Sequence, residues 1–480
     1  MNKIKKLLNK YNAFSLPLKA TLWFTICNFL QRGIGMITTP IFTRLMPTEE
    51  YGLFSTYISW ESVLFMLVSL CLYKGIMNLY VKYEDKEYVL SSICGLEILI
   101  SVFWLIVCLV FRHQISILSG LPVSLVICLF VSFVSQAGFQ CWSLYKRYTY
   151  DYRILIVVTL LMTGGSAIVS TFSIVFVSPT ATVRAEASTI VYALIGIFIY
   201  FLVFRKSKSF IDKYVWKFAL GFCIPLMPHY LSEFILQSSD KIMINYMCGS
   251  HDVAIYSISY AIGSLIGLVT AAINSSFAPF QYQKIKSGEF DVLSKRANQI
   301  LILIGLLLCL VMLFGKEIVL IFGGYKYEES IDTIIPICLG IYFNYMFQLF
   351  ARVQEYYERK VTVVIPSILC AALNLLTNYI FILRYGYQAA AYTTFGCYLL
   401  FCFIHFLFYR KVCREILHGK QLFDTRILLL ISCGVILGGC IIAIINQFIL
   451  AKYCCIGIAV VVIIIKRQKI INAVRMTMSK

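Results

Sequence analysis

Apolar runs of about twenty residues recur along the whole sequence, and short polar connections separate them. A helix that crosses a bilayer needs roughly 20 consecutive apolar residues, so each run predicts one membrane-spanning helix. We predict about fourteen such helices, the first at Leu18–Ile41, the second at Tyr51–Tyr73 and the last at Ile449–Ile465. The pattern therefore predicts an all-α integral membrane protein. The longest polar connection is predicted near Ala278–Asn298.

A short internal repeat divides the predicted helices into two halves. Glu50–Ser55 and Asp252–Ser257 each open a span, and their first residues lie 202 positions apart, which corresponds to six spans. Six spans preserve orientation, so we predict two six-helix lobes as parallel pseudo-repeats, with a binding site between them near the bilayer midplane. The predicted divisions are a basic N-terminal segment (1–17), the lobes (18–208 and 209–410), a C-terminal helix pair (411–466) and a basic tail (467–480).

The basic residues predict the orientation of these helices. Of the 42 Lys and Arg residues, 33 fall on the side of the N-terminus and 8 fall on the opposite side, while Arg32 lies inside a span. Positive residues are enriched in cytoplasmic connections, so both termini are predicted to be cytoplasmic. The net charge of +19 is then explained by topology and by contact with anionic lipids, without any role for nucleic acid.

Composition excludes several other classes of protein. With 60% hydrophobic and 14% charged residues, the chain has more apolar surface than a soluble fold of this size can bury. The 18 cysteines lie mostly inside apolar runs, which argues against a disulfide framework or a zinc site. There is no phosphate-binding Gly-x4-Gly-Lys motif and no long polar loop that could fold as an enzyme. We therefore predict a protein that is not an enzyme and has no cofactor.

Polar residues inside the first span form one helix face, at Thr25, Asn28, Arg32, Gly35 and Thr39. An arginine at the centre of a span costs at least about 2.5 kcal/mol if it faces lipid. One interpretation is a structural ion pair with Glu61 or Glu233. We favour a wet cavity, because a planar guanidinium with five donors suits a diphosphate.

The seventh predicted span corresponds to the first span in the repeat. It contains Pro225 and Pro228, which predict a bent or hinged helix. It also carries a polar face formed by His229, Glu233, Gln237 and Asp240. His229 and Glu233 either form hydrogen bonds across a helix interface or take part in transport. In the second case Glu233 and Asp240 are candidates for binding a coupling H+ or Na+.

Further candidates lie at other positions along the spans. Arg352 shares a helix face with Asn344, Gln348 and Glu355, and we favour an interfacial charge cluster for this group. Lys74 is predicted to end the second span, where its side chain could reach the interface. The remaining candidates are Arg44, Glu61, Glu97 and Lys241.

Two junctions resemble a known family of transporters. The segment 40–54, Pro-Ile-Phe-Thr-Arg-Leu-Met-Pro-Thr-Glu-Glu-Tyr-Gly-Leu-Phe, is similar to the junction between the first two spans of Wzx-type polysaccharide flippases. Segment 239–244, followed by 252–260, resembles the matching junction in their second half. These flippases belong to the multidrug/oligosaccharidyl-lipid/polysaccharide exporter superfamily.

The resemblance implies a function and a set of partners. The family moves undecaprenyl-diphosphate-linked repeat units of O-antigen or capsule across the bacterial inner membrane, so this lipid-linked oligosaccharide is the implied substrate. Membrane lipids, and a polysaccharide polymerase with its chain-length protein, are the other implied partners. Under this interpretation Arg32, Asn28, Arg44, Glu61, Lys74, His229, Gln237, Lys241 and Arg352 are the candidate substrate-binding residues.

Three alternatives stay open. A cation-coupled multidrug exporter of the same superfamily would prefer an acidic cavity, which the central Arg32 opposes. A lipid II flippase is compatible with two additional C-terminal spans. A membrane polymerase or ligase is disfavoured, because such an enzyme usually needs a folded loop on the outer face.

Overall fold

In the computed structural model, residues 15–207, 209–448, 450–454 and 457 are described, and every regular element among them is helical. We number the α-helices in chain order. Their bounds are α1 Leu16–Leu45, α2 Thr48–Val68, α3 Leu72–Lys82, α4 Lys86–Val110, α5 Arg112–Ser119, α6 Val123–Tyr148, α7 Tyr152–Phe176, α8 Ala181–Lys206, α9 Lys213–Cys223, α10 Met227–Met247, α11 Ser250–Ser287, α12 Phe290–Leu313, α13 Gly315–Phe322, α14 Ile331–Tyr356, α15 Lys360–Tyr385, α16 Gln388–Glu415 and α17 Thr425–Ile445. The predicted all-α membrane class is confirmed.

Ten of the described helices are long and apolar enough to cross a membrane, and two bent helix pairs raise this number to as many as 12. Helix α1 is outside this set although it has 30 residues, because its polar face lowers its mean hydropathy. The count of fourteen spans stays a prediction. Most of the last predicted span, residues 1–14 of the N-terminal segment, and the tail at 467–480 lie outside the described residues.

The chain divides into two compact units, the first ending at Ala254 and the second beginning at Ile255. In unit 1, α1 packs on α7, α7 on α8, α8 on α6 and α6 on α4. Apolar side chains from α3, α4, α6, α7, α8 and α9 form one buried cluster, which includes Leu72, Ile93, Trp142 and Val215. The lobe boundary that the repeat predicts at residues 208 and 209 stays a prediction.

Two bent helix pairs of unit 1 pack side by side. Helices α2 and α3 meet at an angle of 48°, and the pair α9 and α10 meets at 53°. Helix α2 packs on α10, and α3 packs on α9, so the two breaks lie next to each other. At this junction the Cys223 thiol lies 3.8 Å from the Leu72 carbonyl oxygen. A Cβ added to Gly75 would be only 2.6 Å from the same sulfur atom.

The two breaks have different chemical causes. Ile224–Leu226 forms a 3-10 turn that contains Pro225, and this confirms the bend that the prolines predict. Between α2 and α3, Leu70 and Cys71 adopt positive φ angles of 47° and 56°. Neither residue is a glycine, so the sequence does not mark this break. The second span is predicted to end at Tyr73, two residues after this break, and α3 continues the helical chain to Lys82.

The start of α9 is fixed by a capping interaction outside the spans. One carboxylate oxygen of Asp212 accepts hydrogen bonds from the N–H groups of Tyr214 (2.7 Å) and Val215 (3.1 Å). The Tyr88 hydroxyl donates to the other oxygen at 2.6 Å. The Tyr88 hydrogen bond, together with the two backbone N–H groups, holds the pKa of Asp212 below its usual range.

Segment 40–54 of the family resemblance holds the start of α8. The Glu50 carboxylate accepts a hydrogen bond from the Ala181 N–H at 2.6 Å, which caps α8 from a different helix. The Arg184 guanidinium lies 3.5 Å from the ring centroid of Phe42 and 3.8 Å from that of Phe54. These contacts tie the end of α1 and the beginning of α2 to α8.

Unit 2 is built around α14, which packs on α12, α15, α16 and α17. Helix α11 is continuous for 38 residues to Ser287, and α12 begins at Phe290. The connection predicted near Ala278–Asn298 is therefore helical apart from Gly288 and Glu289. Hydropathy marks where a span leaves the membrane, but a helix can continue beyond it because its backbone hydrogen bonds are satisfied within the helix.

Candidate functional site

The candidate site in unit 1 begins at the two helix breaks. Lys74 lies in the first turn of α3 and is exposed. Its ammonium group is 5.2 Å from the ring centroid of Tyr73 and 4.9 Å from that of Tyr230 on α10. Two tyrosine faces thus stabilise a lysine that lies next to a helix break, and no carboxylate of the described chain forms an ion pair with it.

The face of α10 next to Tyr230 carries the predicted polar residues. Glu233 and Gln237 are one turn apart and exposed, and neither has a hydrogen-bond partner among the described side chains. Glu233 interacts electrostatically with Tyr230, so it belongs to the same region as Lys74. The side chain of His229 lies outside the described part of the structure. The structure therefore brings Lys74, Tyr230 and Glu233 together.

The polar face of α1 is directed away from its packing partner α7. Asn28 and Arg32 are exposed, whereas Cys27 is buried. In the described chain, Arg32 forms no ion pair with Glu61 or Glu233. The structural pairing considered for Arg32 is therefore absent from this conformation. Arg44, also exposed, donates to the Pro40 carbonyl oxygen at 2.9 Å and extends the basic character of this helix.

Glu61 on α2 faces inward and binds neutral groups of α6. One of its carboxylate oxygens accepts hydrogen bonds from the Gln136 amide at 2.6 Å and from the Ser132 hydroxyl at 3.3 Å. Farther along α10, Asp240 is 1% exposed and Lys241 is half-buried, and the two groups attract each other. In this conformation all three side chains thus interact with other groups of unit 1, and their part in transport stays a prediction.

Glu97 is a buried acid in the core behind the helix breaks. Its side chain is fully buried, and neither carboxyl oxygen has a hydrogen-bond partner among the described residues. The groups that interact with it electrostatically are the thiols of Cys71 and Cys223 and the hydroxyl of Tyr73, together with Cys141 and Tyr200. Sequence alone identifies Glu97 as the one charged residue in the run 89–111.

Arg352 belongs to unit 2 and is held by neutral amides. Its guanidinium donates to the side-chain oxygens of Asn274 (2.6 Å), Gln348 (3.3 Å) and Gln281 (3.4 Å). It is 8% exposed and has no salt bridge within the described chain. An arginine surrounded by amides keeps its full positive charge, because the amide oxygens solvate that charge without neutralising it.

Sequence reasoning found the charged residues of this site but missed the aromatic groups around Lys74. Tyr73 is adjacent in sequence, whereas Tyr230 reaches Lys74 only because α2 packs on α10. No local sequence signal marks such a long-range contact. Among the described residues, no group of three or more His, Cys, Asp or Glu side chains could hold a metal ion.

The chain is similar in sequence to two protein families and to a protein of known origin. Residues 18–281 match the model of a family described as polysaccharide biosynthesis protein, and residues 225–380 match the MatE family model. Lsg locus putative protein 1 of Haemophilus influenzae is 25% identical over 358 residues, which cover 68% of this chain and 84% of that protein.

Solved structures share the fold. The lipid II flippase MurJ in an inward closed conformation has a TM-score of 0.70 at 17% identity, with 94% of this chain and 100% of that chain covered. An inward-facing multidrug resistance MATE transporter of the MOP superfamily has a TM-score of 0.59 at 14% identity, with coverages of 83% and 96%. These similarities identify the fold as that of a multi-pass membrane transporter.

Proposed function

This chain belongs to the family of polysaccharide biosynthesis proteins, and from that membership we propose that it flips undecaprenyl-diphosphate-linked oligosaccharides across a bacterial inner membrane. The direction is from the cytoplasmic to the outer leaflet, by alternating access, with both termini in the cytoplasm. The product supplies O-antigen, capsule or exopolysaccharide synthesis, where a polymerase and a chain-length protein act next.

The observation that carries this proposal is a set of basic side chains on helices of the bundle for which the described residues supply no carboxylate partner. Lys74 and Arg32 are exposed in unit 1 and have no carboxylate partner among the described residues, while Arg352 in unit 2 is held by amides. Cations at such positions are costly unless an anion or water meets them. A diphosphate linked to a lipid supplies that anion.

The tyrosines beside Lys74 suit the sugar part of the substrate. Tyr73 and Tyr230 present ring faces next to a cation. The apolar face of a sugar ring can stack on these tyrosine rings while the hydroxyl groups of the sugar stay hydrated. Asn28 and Gln237 add exposed amides within spans of the same unit. We assign Lys74 and Arg32 to the diphosphate and the tyrosines to the first sugar.

Export of a diphosphate needs no ATPase. Moving about two negative charges out of a negative cytoplasm is assisted by roughly 2.3 kcal/mol per charge at 100 mV. Glu233, exposed beside Tyr230, is our candidate for a coupling H+ or Na+, with Asp240 as the second candidate. A Glu233→Gln variant that transports with an unchanged pH dependence would eliminate Glu233 from this role.

Lipid II is the second candidate substrate, because the fold similarity to the lipid II flippase does not separate the two cargoes. Both are prenyl diphosphates that carry sugars, so the cations described above suit either one. The peptide of lipid II is the chemical difference, and an assay that presents both lipids distinguishes them.

The test uses the full-length protein in liposomes that contain a fluorescent prenyl-diphosphate oligosaccharide, with leaflet access reported by an impermeant lectin. We expect wild type to expose the sugar, Lys74→Gln and Arg32→Gln to slow this at least tenfold, and Lys74→Arg to stay within about threefold. Lys213→Gln, which removes an exposed cation at the start of α9, is the matched control.

Two results would contradict the proposal. Unaltered flipping in both Lys74→Gln and Arg32→Gln would remove the cations from the substrate path. Transport of lipid II or of a cationic drug, with no flipping of the oligosaccharide lipid, would assign this chain to another branch of its superfamily.

A further inference from the structure

Unit 2 contains two adjoining cavities where α16 ends and α17 begins. Their volumes are about 480 and 660 Å³, and they share Arg410 and Thr425. The larger cavity is also lined by Leu407, Lys411 and Arg414, and the smaller one by Arg426. We call these two cavities the Arg410 groove. It lies at the end of the spans that is predicted to face the cytoplasm.

Most acids of this groove already have partners. Glu415 accepts a hydrogen bond from Arg359 at 3.0 Å and lies 3.8 Å from Lys411. The Asp424 carboxylate caps α17 by accepting from the Arg426 N–H at 2.9 Å and from the next N–H at 3.3 Å.

The remaining charges of the groove are mostly positive. Asp291, which lines the smaller cavity, is the remaining acid. Arg410, Arg414 and Arg426 are exposed and have no ion pair within the described residues. Among the described residues, three arginines without an ion pair therefore line the groove, against the single remaining carboxylate of Asp291.

The connection that forms the floor of the groove is fixed. The buried Tyr409 hydroxyl accepts hydrogen bonds from the N–H groups of Leu422 (2.9 Å) and Phe423 (3.0 Å). The Ser294 hydroxyl accepts from the Asp424 N–H at 2.9 Å and joins α12 to the same connection. The backbone that carries Arg410 and Arg426 is thus held from two sides.

Below the arginines the surface becomes apolar. On α16, Phe403 and Leu407 are 53% and 50% exposed and precede Lys411 by eight and four residues, which places all three on one helix face. On α17, Leu429 and Leu430 are 59% and 74% exposed and follow Arg426 by three and four residues. The groove therefore presents cations above an open apolar surface.

We propose that the Arg410 groove binds an anionic phospholipid of the adjacent leaflet. The guanidinium groups of Arg410, Arg414 and Arg426 hold the headgroup phosphate, since arginine binds phosphate oxygens in a bidentate manner. The acyl chains lie along Leu407 and Leu430. An inorganic phosphate ion would use the arginines alone and leave the apolar surface uncovered. Basic pockets between transmembrane helices bind anionic lipid headgroups in this way.

The test measures binding of fluorescent phosphatidylglycerol to the full-length protein in detergent, with phosphatidylcholine as the neutral lipid. We compare wild type with the triple variant Arg410→Gln/Arg414→Gln/Arg426→Gln. The matched control is Arg205→Gln/Lys213→Gln/Lys217→Gln, which removes three exposed cations from unit 1. We expect the groove variant to bind phosphatidylglycerol at least tenfold more weakly and the control to stay within twofold of wild type.

The remaining results would overturn the proposal. Equal weakening in both triple variants would show a diffuse charge effect. Full displacement by millimolar inorganic phosphate would show a site for a free anion. Displacement by equimolar undecaprenyl phosphate would assign the groove to the prenyl lipid.

If the groove variant unfolds, Arg410→Lys/Arg414→Lys/Arg426→Lys keeps the charge, and we expect at least threefold weaker binding from the loss of bidentate contacts.

Discussion

A methyl group at Gly52 is expected to disrupt the contact between α2 and the start of α11. A Cβ atom built at this position would lie 1.7 Å from the Ser250 carbonyl oxygen, 2.7 Å from the Ser250 carbonyl carbon and 3.0 Å from the Ala254 nitrogen. All three atoms belong to the backbone, so no side-chain rotation can relieve the overlap. Gly52→Ala must push the two helices apart.

The magnitude follows from two opposing effects. Replacing a helical glycine by alanine, with no contact nearby, stabilises by about 0.4–1 kcal/mol. Overpacking a closely packed site costs about 1–3 kcal/mol, and a backbone overlap lies at or beyond the upper end. Separation of α2 would also loosen the buried Tyr51 and Phe54. We expect a net loss of about 2 kcal/mol, or roughly 2–4 °C in apparent melting temperature for a protein of this size.

The assay is thermal unfolding in detergent with a dye that becomes fluorescent on reaction with thiols, since most free cysteines of the described chain are buried. Gly267→Ala is the control, because nothing lies within 4 Å of a Cβ at that position. The control should melt at or slightly above the wild-type temperature. A Gly52→Ala variant that melts with the control would refute the proposed backbone contact.

Three further predictions use the same melting assay. Glu50→Ala should lower the melting temperature by about 1–2 °C, because the α8 cap is worth about 1 kcal/mol, whereas the exposed Glu49→Ala should not; equal losses would contradict the capping role. Asp212→Ala should melt below wild type at pH 7. Because the pKa of Asp212 is lowered in the folded protein, its carboxylate stabilises the fold above the unfolded pKa of about 3.9, and this stabilisation is lost as the pH falls below that value. The melting temperatures of wild type and Asp212→Ala should therefore converge below about pH 4. A difference between them that does not change with pH would contradict this explanation. Glu97→Leu should raise the melting temperature, because leucine has a volume similar to that of glutamate and lacks the buried carboxyl group, which has no hydrogen-bond partner among the described residues. A marked decrease would indicate that the Glu97 carboxyl group binds a further group in the folded protein.

The sequence predicts the helices and one of the two breaks. Apolar length identifies the spans, and Pro225 with Pro228 predicts the bend before α10, because proline removes a helical hydrogen bond. The break at Leu70 and Cys71 could not be predicted, since ordinary apolar residues adopt the left-handed conformation there. Tertiary packing imposes this geometry against the local preference.

The charged residues of the candidate site could be predicted, but their partners could not. In sequence Arg32 lies at the centre of a predicted span, whereas Arg352 lies just beyond one and belongs to a predicted interfacial charge cluster. In the structure Arg32 is exposed, whereas Arg352 is surrounded by three amides, two of them from α11. Which environment an arginine receives depends on the neighbouring helix, and that information is absent from any single segment.

The clamp formed by segment 40–54 around the start of α8 has a consequence for how such chains are classified. Phe42, Glu50 and Phe54 hold Arg184 and Ala181, and none of these contacts involves Lys74 or Arg32. The segment that makes this chain recognisable is thus part of the scaffold. Similarity in this segment therefore indicates a shared fold but does not identify the transported substrate. The substrate should be inferred from residues such as Lys74, Tyr73 and Tyr230.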